Sequence, residues 1–293
     1  MSLKILFIIN PISGGKKKQD LEAAIRNYFK PLDHIIELYQ LSGSDDTRSI
    51  EHYIKLFNPD RVVAVGGDGT IKLLAEILKE TSIPMGIIPA GSANGMAKEL
   101  NIPFVVEAAL KIVLEGEPKK IDLIKINEEE LCIHLSDIGL NAMIVKYYDQ
   151  SKTRGWWSYA KALFRVLIEK QKFRCTIKTD EGTIKRKAYM VVLANATQYG
   201  MGGVINPEGD VADNYFEVVI VRKLNVFAVV NGLLRHKRFD PQRIEVLKTK
   251  TLDLKTQKRV HFQIDGEYMG KVANLQARIL PGILNILLPN DVA

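Results

Sequence analysis

Residues 61–72 read Arg-Val-Val-Ala-Val-Gly-Gly-Asp-Gly-Thr-Ile-Lys. Four consecutive apolar residues run straight into a turn of three glycines, and Ile71, Leu74, Ala75 and Leu78 then recur at helical spacing. An apolar run without polar alternation predicts a strand buried on both faces, and the run–turn–helix order predicts a β-α unit of a parallel sheet. The same order recurs on either side. Leu3–Ile9 precedes Asn10-Pro11-Ile12-Ser13-Gly14-Gly15 and a helix over 20–29; 35–39 is followed by a helix carrying Ile50, Ile54 and Phe57. Met85–Ile88 precedes Gly91-Ser92-Ala93-Asn94-Gly95 and a helix over 96–100; 105–114 is again helical and 121–126 closes the series as a strand. The first 127 residues are therefore expected to form an α/β domain with helices on both faces of a parallel sheet.

From residue 128 onward the texture changes. Strand-like segments over 131–138, 173–178, 185–194, 216–221, 243–246, 251–254, 259–264, 275–280 and 283–288 follow one another. Gly182, Asp213-Asn214, Asp265-Gly266 and Pro281-Gly282 punctuate them as turns, and only 157–169 and 226–234 look helical. This predicts a mostly antiparallel β-sandwich over 128–293, a cleft between the two domains, and a last stretch of about ten residues that packs back on the first domain.

Of the 293 residues 46% are hydrophobic and 26% charged, and the formal net charge is +7. That is the balance of a folded chain, with a surface suited to phosphorylated ligands or anionic membranes. Cys132 and Cys175 are too few and too far apart for a disulfide framework or a Cys-based zinc site. No stretch reaches the ~18 apolar residues of a membrane span and the N-terminus lacks a signal-peptide pattern, so a cytoplasmic protein peripheral to the membrane's inner face is expected.

In an open parallel sheet, ligands gather beyond the carboxyl ends of the strands. Three glycine-bearing turns fall there, each with a hydroxyl residue: Ser13, Thr70 and Ser92. Glycine lets backbone N–H groups approach a phosphate, and a helix opening after each turn adds its positive end. Asp68 would repel phosphate directly; it suits Mg²⁺ or a substrate hydroxyl, or else simply an Asx-turn or helix cap. The turns are neither a Walker A loop nor a dinucleotide fingerprint, the five histidines have no zinc spacing, and Ser92 lacks the context of a hydrolase nucleophile. No nucleic-acid recognition motif is present.

Asn10-Pro-Ile-Ser-Gly, Gly66-Gly-Asp-Gly-Thr, Pro89-Ala-Gly-Ser-Ala-Asn and Asp265-Gly-Glu267, in this order and spacing, resemble the diacylglycerol kinase catalytic-domain family, which includes bacterial lipid kinases and sphingosine kinases. The resemblance runs over essentially the whole chain. It implies ATP-dependent phosphorylation of a lipid hydroxyl with Mg²⁺. Asn10, Pro11, Ser13, Gly14, Gly66, Gly67, Asp68, Gly69, Thr70, Ser92 and Asn94 are then expected at the nucleotide. Glu267 or Asp265 is expected to take the proton of the attacking hydroxyl, with Asp68, Asp265 and Asp122 in a metal network. The segment Pro207–Tyr215 resembles the family's structural Mg²⁺ loop, with Asp213 as side-chain ligand and Asp210 and Tyr215 giving carbonyls. Four positions depart from the family pattern: Ser92 stands where a Thr is usual, Gly95 where an Asp is usual, Leu41 where a Thr is expected and Asn214 where a Gly is usual.

Expected partners are a lipid substrate at a membrane surface, anionic phospholipid headgroups facing Lys16–Lys18 and Arg235–Arg238, and a second copy through exposed edge strands. Trp156-Trp157-Ser158-Tyr159 opens an apolar helix that suits core packing or a lipid-facing surface. Two alternatives accompany the lipid kinase: an NAD-kinase-like phosphotransferase on a soluble acceptor, and a nucleotide- or lipid-binding sensor without turnover.

Overall fold

A computed structural model describes residues 2–11, 18–150, 156–199, 203–204, 209–223 and 244–290. The chain divides into two units: unit 1 runs from the N-terminus to Ile121 and takes up the chain again at Gly282, and unit 2 is Asp122–Pro281.

In unit 1 the expected alternation is realised as β1 (Lys4–Ile9), α1 (Lys18–Phe29), β2 (Ile35–Gln40), α2 (Asp46–Phe57), β3 (Arg61–Gly66), α3 (Asp68–Leu78), β4 (Met85–Pro89), α4 (Gly95–Glu99) and α5 (Val106–Glu115). β1 pairs in parallel with both β2 and β3, and β3 with β4, so the sheet order is β2-β1-β3-β4. Ile5 to Ile9, Val62 to Val65 and Met85 to Pro89 are buried throughout, as their unbroken apolar runs require. β1 connects outward to β2 on one side, while β3 lies on its other side. The strand direction of travel therefore reverses between β1 and β3, which is where α/β sheets open a crevice at their carboxyl ends.

β5 (Glu117–Ile126), read as the strand closing this series, belongs elsewhere: its Ile124–Ile126 pairs antiparallel with β6 (Glu130–Cys132). The extra parallel neighbour of β4 comes from the far end of the chain, where Ile286 pairs with Met85.

Unit 2 continues with β7 (Leu135–Gly139), α6 (Leu140–Asp149), α7 (Trp156–Glu169), β8 (Phe173–Thr179), β9 (Gly182–Ala188), β10 (Met190–Ala194), β11 (Gln198–Tyr199), β12 (Gly203–Val204), β13 (Phe216–Val221), β14 (Ile244–Thr249), β15 (Thr251–Ile264) and β16 (Glu267–Leu288). It is an antiparallel β-sandwich. β14, β13, β10, β7, β15 and the first part of β16 follow one another, and the β8–β9 hairpin joins β15. Its core gathers Ile138, Ile177, Val191, Phe216, Leu254, Phe262 and Leu275.

Three expectations need correction here. The strand read over 131–138 is broken, because the N–H groups of Ile133, His134 and Leu135 are drawn to the Asp265 carboxylate instead of a ladder. Pro281-Gly282, read as a turn, lies inside β16; Gly282 takes φ +54°, which bends the strand without ending it. Helix α6 was not foreseen, although Leu140, Met143, Ile144 and Tyr147 have helical spacing and Leu140 and Ile144 pack on Ala162 and Val166 of α7. Its start is hidden in a buried strand end, where Asp137 Oδ1 accepts the Ala142 N–H at 2.9 Å. The helix expected over 226–234 lies outside the described residues. Among the described residues no helix is long and apolar enough to cross a membrane.

Candidate functional site

At the carboxyl ends of β1, β3 and β4 the three turns are fastened to one another. The Gly66 backbone passes so close to the Thr70 side chain that a Cβ on Gly66 would lie 2.2 Å from Thr70 Oγ1. The second and third turns touch backbone to backbone: a Cβ on Gly91 would lie 2.4 Å from Gly67 Cα. No side chain larger than hydrogen fits at either place. Gly69 is different, with open space around its missing Cβ.

The polar groups of these turns serve several ends. Asn10 Nδ2 donates to Thr70 Oγ1 at 3.3 Å, tying the first turn to the second. Thr70, expected at the phosphates, is only 2% exposed, so its hydroxyl steadies Asn10 rather than facing a ligand. Asn94, likewise expected at the nucleotide, is 5% exposed and folds back on its own turn. Its Oδ1 accepts the Gly91 N–H and its Nδ2 donates to the Gly91 carbonyl, both at 2.8 Å. Ser92 is exposed, Pro11, Gly67 and Asp68 are half-buried, and Gly66 is buried. Ser13 and Gly14 lie outside the described residues.

Helix α3 begins at Asp68, three residues before the expected start at Ile71. Asp68 caps a different helix: its carboxylate accepts the N–H groups of Gly95 and Met96 at the start of α4, both at 3.0 Å. A carboxylate among glycines thus stitches the second turn to the third. Gly95, one departure from the family pattern, contributes an N–H that Asp68 takes; Leu41 continues the β1–β2 ladder through its N–H to the Ile9 carbonyl.

In unit 2, Asp265 and Gly266 form the two-residue turn between β15 and β16, both with positive φ (+49° and +85°), and Ile264 pairs with Glu267. The Asp265 carboxylate accepts the N–H groups of Ile133, His134 and Leu135 at 2.9, 2.9 and 3.1 Å. It braces the turn rather than projecting from it. Glu267 stands exposed at the first position of β16.

Two residues not foreseen complete this brace. Gln263, 2% exposed, accepts the Gly266 N–H with its Oε1 at 2.7 Å and donates through Nε2 to the buried Asp137, the residue that caps α6. A lone glutamine between Phe262 and Ile264 in a buried strand was the available signal.

The expected magnesium residues do assemble around one turn, but their oxygens are engaged by protein donors. Asp122, 1% exposed, accepts the Asn214 N–H through Oδ2 at 2.6 Å. Asp213 Oδ1 accepts the Tyr215 N–H at 2.9 Å, and Oδ2 meets the Lys248 ammonium at 2.5 Å. Asp210 Oδ1 takes the Ala212 N–H at 2.9 Å. Lys248 and Lys250 both lie over the Tyr215 ring. Asp213 raises the Lys248 pKa. Asn214 sits at φ +66°, the left-handed conformation expected where the family has Gly. Among the described residues no three His, Cys, Asp or Glu side chains converge on a metal position. The Lys248 ammonium stands at the Asp213 carboxylate that was expected to hold Mg²⁺.

Comparison with known proteins agrees with this architecture. The family model of the diacylglycerol kinase catalytic domain matches residues 4–126, and that of the YegS C-terminal NAD kinase β-sandwich-like domain matches 136–288. A diacylglycerol kinase of Staphylococcus aureus (strain bovine RF122 / ET3-1) is 26% identical over 305 aligned positions, covering 100% of this chain and 94% of its own. A probable lipid kinase YegS-like of Chromohalobacter salexigens is 26% identical, covering 80% of this chain and 77% of its own. The crystal structure of a putative diacylglycerol kinase from Bacillus anthracis str. Sterne has the same fold, with a TM-score of 0.81 at 21% identity over 99% of this chain and 98% of that one.

Proposed function

The chain belongs to the family of diacylglycerol kinase catalytic domains continued by a YegS-type β-sandwich domain, and on that premise we propose that it transfers the γ-phosphoryl group of ATP to a hydroxyl of a membrane lipid of the diacylglycerol or sphingoid type. The observation that carries this reading is the cluster of fastened glycine turns at the carboxyl ends of β1, β3 and β4. Gly66, Gly67 and Gly91 let the turns pack on one another, the exposed Gly69 leaves open space at the start of α3 that suits a polyphosphate, and the exposed Ser92 hydroxyl adds a donor. Magnesium enters as part of the Mg–ATP substrate.

For the acceptor step, Glu267 is favoured over Asp265. The Asp265 oxygens are engaged by three backbone N–H groups, whereas Glu267 is exposed beside the turn they brace. As the bond from the γ-phosphorus to the β–γ bridging oxygen breaks and ADP leaves, the lipid oxygen bonds to phosphorus and its proton passes to the Glu267 carboxylate. A loose phosphoryl-transfer transition state needs positioning and charge compensation more than early deprotonation. Asp68 acts as a positioning residue by holding the second and third turns together.

The test is ADP release with Mg–ATP and diacylglycerol, sphingoid base, ceramide or phosphatidylglycerol in mixed micelles. Lipid-dependent turnover is expected for one of them, with Glu267→Gln lowering it by about 10²–10⁴-fold while ATP binding persists. Wild-type turnover in Glu267→Gln removes that residue from the mechanism. Phosphorylation of NAD and not of lipid assigns a soluble acceptor, and ATP binding without transfer to any acceptor assigns a sensor.

A further inference from the structure

Unit 2 carries a second concentration of positive charge, on strands that have no part in the glycine turns. Among the described residues, a groove of about 920 Å³ is lined by twelve, of which eight are Lys or Arg and none is acidic. That volume falls in the range of small-ligand sites. Lys172, Arg174, Lys185, Lys187, Lys223 and Lys255 line it, Lys172 with its ammonium over the Tyr189 ring and Lys255 within 3.8 Å of Asp253, and a neighbouring concavity of about 550 Å³ shares Lys172, Arg174 and Lys187 and adds Lys258, Arg259, Lys271 and Glu169.

The strand register sharpens the point. Arg174 of β8 lies directly opposite Lys187 of β9, and Lys255 of β15, Thr176 and Lys185 form the next row across three strands. Like charges set opposite each other in a sheet repel, so this arrangement stores a repulsion that a bound anion relieves. Two further cations are already oriented. Glu245 holds Arg186 at 2.6 and 2.8 Å and reaches Arg222 at 3.4 Å. Cys175, also in the lining, donates to the Arg186 carbonyl, and burial pushes its thiol up to about 11, so it brings no negative charge.

The lining narrows the ligand. No aromatic side chain is among its described lining residues, and the cations there suit phosphate groups. We propose that this groove binds a ligand bearing two or more phosphate groups, held through those phosphates by the cations of β8, β9 and β15.

The experiment is a calorimetric titration of the full chain with inorganic tripolyphosphate and, separately, with phosphatidylcholine vesicles carrying a phosphatidylinositol bisphosphate. Wild type is compared with Lys185→Glu/Lys187→Glu and Lys185→Gln/Lys187→Gln. Both side chains replaced are exposed, and the glutamate at 187 faces Arg174, so the fold is expected to persist, as an unchanged urea midpoint verifies. Binding is expected to weaken by about tenfold or more in the charge-reversed variant, by less in the neutral one, and to decline with added salt. Loss with tripolyphosphate assigns a free polyphosphate; loss with vesicles only assigns a lipid headgroup. Equal binding by wild type and both variants, or none by wild type, overturns the proposal, as does a single-stranded oligonucleotide that tripolyphosphate cannot displace. ATP-dependent turnover measured on the same variants keeps the two questions apart, since a failed groove leaves turnover intact and a failed kinase reading leaves groove binding intact.

Discussion

Asp68 and Asp265 are the same residue type, each set beside glycine in a tight turn, and both invite a chemical role. In the folded chain both collect backbone N–H groups, but to different extents. Asp68 takes two, at the start of a five-residue helix, and thereby joins two turns of unit 1. Asp265 takes three from consecutive residues, and replaces a stretch of β-ladder that the chain would otherwise form. A carboxylate that satisfies three successive amides is committed to the scaffold. One that satisfies two at a half-exposed edge joins two turns to each other and stays partly open to solvent. The type of residue raises the question of function, and its partners answer it.

The sharpest way to break this contrast is Asp265→Ala. Three amides lose their acceptor together, and unfolding stability should fall by about 3 kcal/mol in urea titration with an unchanged denaturant slope. A loss below about 1 kcal/mol would mean that the brace is ornamental. Gly91→Ala probes the other turn. Its Cβ would press on the Gly67 backbone, which cannot swing aside, so a destabilisation of about 2 kcal/mol and weakened ATP binding are expected from the same sample.

Acid should distinguish the two regions as well. His261, which shares a 2.6 Å hydrogen bond with the Tyr268 hydroxyl just behind the Asp265 turn, is pushed from its ordinary 6.5 to about 4, by burial first and then by Lys146 and Lys271. Above 6.5 the ring is neutral in both folded and unfolded chains and contributes nothing to pH dependence. As pH falls from 6.5 towards 4 the unfolded chain takes the proton first, so stability drops, by about 1–2 kcal/mol once solvent screening of this half-exposed ring is allowed for. His261→Gln should flatten that part of the pH–stability curve, and an unchanged curve would remove the histidine as its cause.

The smallest effect has the opposite sign. Gly69 lies in the first turn of α3 with open space at its Cβ, so Gly69→Ala should stabilise the chain by about 0.5 kcal/mol. Loss of ATP binding in that more stable variant would show that the space is kept for a phosphate; retained binding would make the glycine dispensable.

Much of this was legible beforehand. The buried runs at 4–9, 61–66 and 85–89, and the Asp265-Gly266 hairpin, follow from apolar periodicity and turn chemistry, which are local. Helix α6 escaped because it starts directly from the end of β7 at Gly139, which has no side chain to cap it, while Asp137, which accepts the Ala142 N–H, lies inside the strand. The duties of Thr70 and Asn94 escaped for a related reason: a hydroxyl or amide in a glycine turn looks the same whether it faces a ligand or its own backbone.

Order and spacing along the chain determined the two-unit architecture, the parallel and antiparallel sheets, and the three turns at the strand ends. Only the tertiary structure decided which carboxylates are spent on amides, that Lys248 stands beside Asp213, and that cations from three strands line one groove. Periodicity is written in neighbours a few residues apart. Gly95, Lys248 and Ile133 lie 27, 35 and 132 residues from their partners Asp68, Asp213 and Asp265, and only the closing of the fold brings them within hydrogen-bond distance.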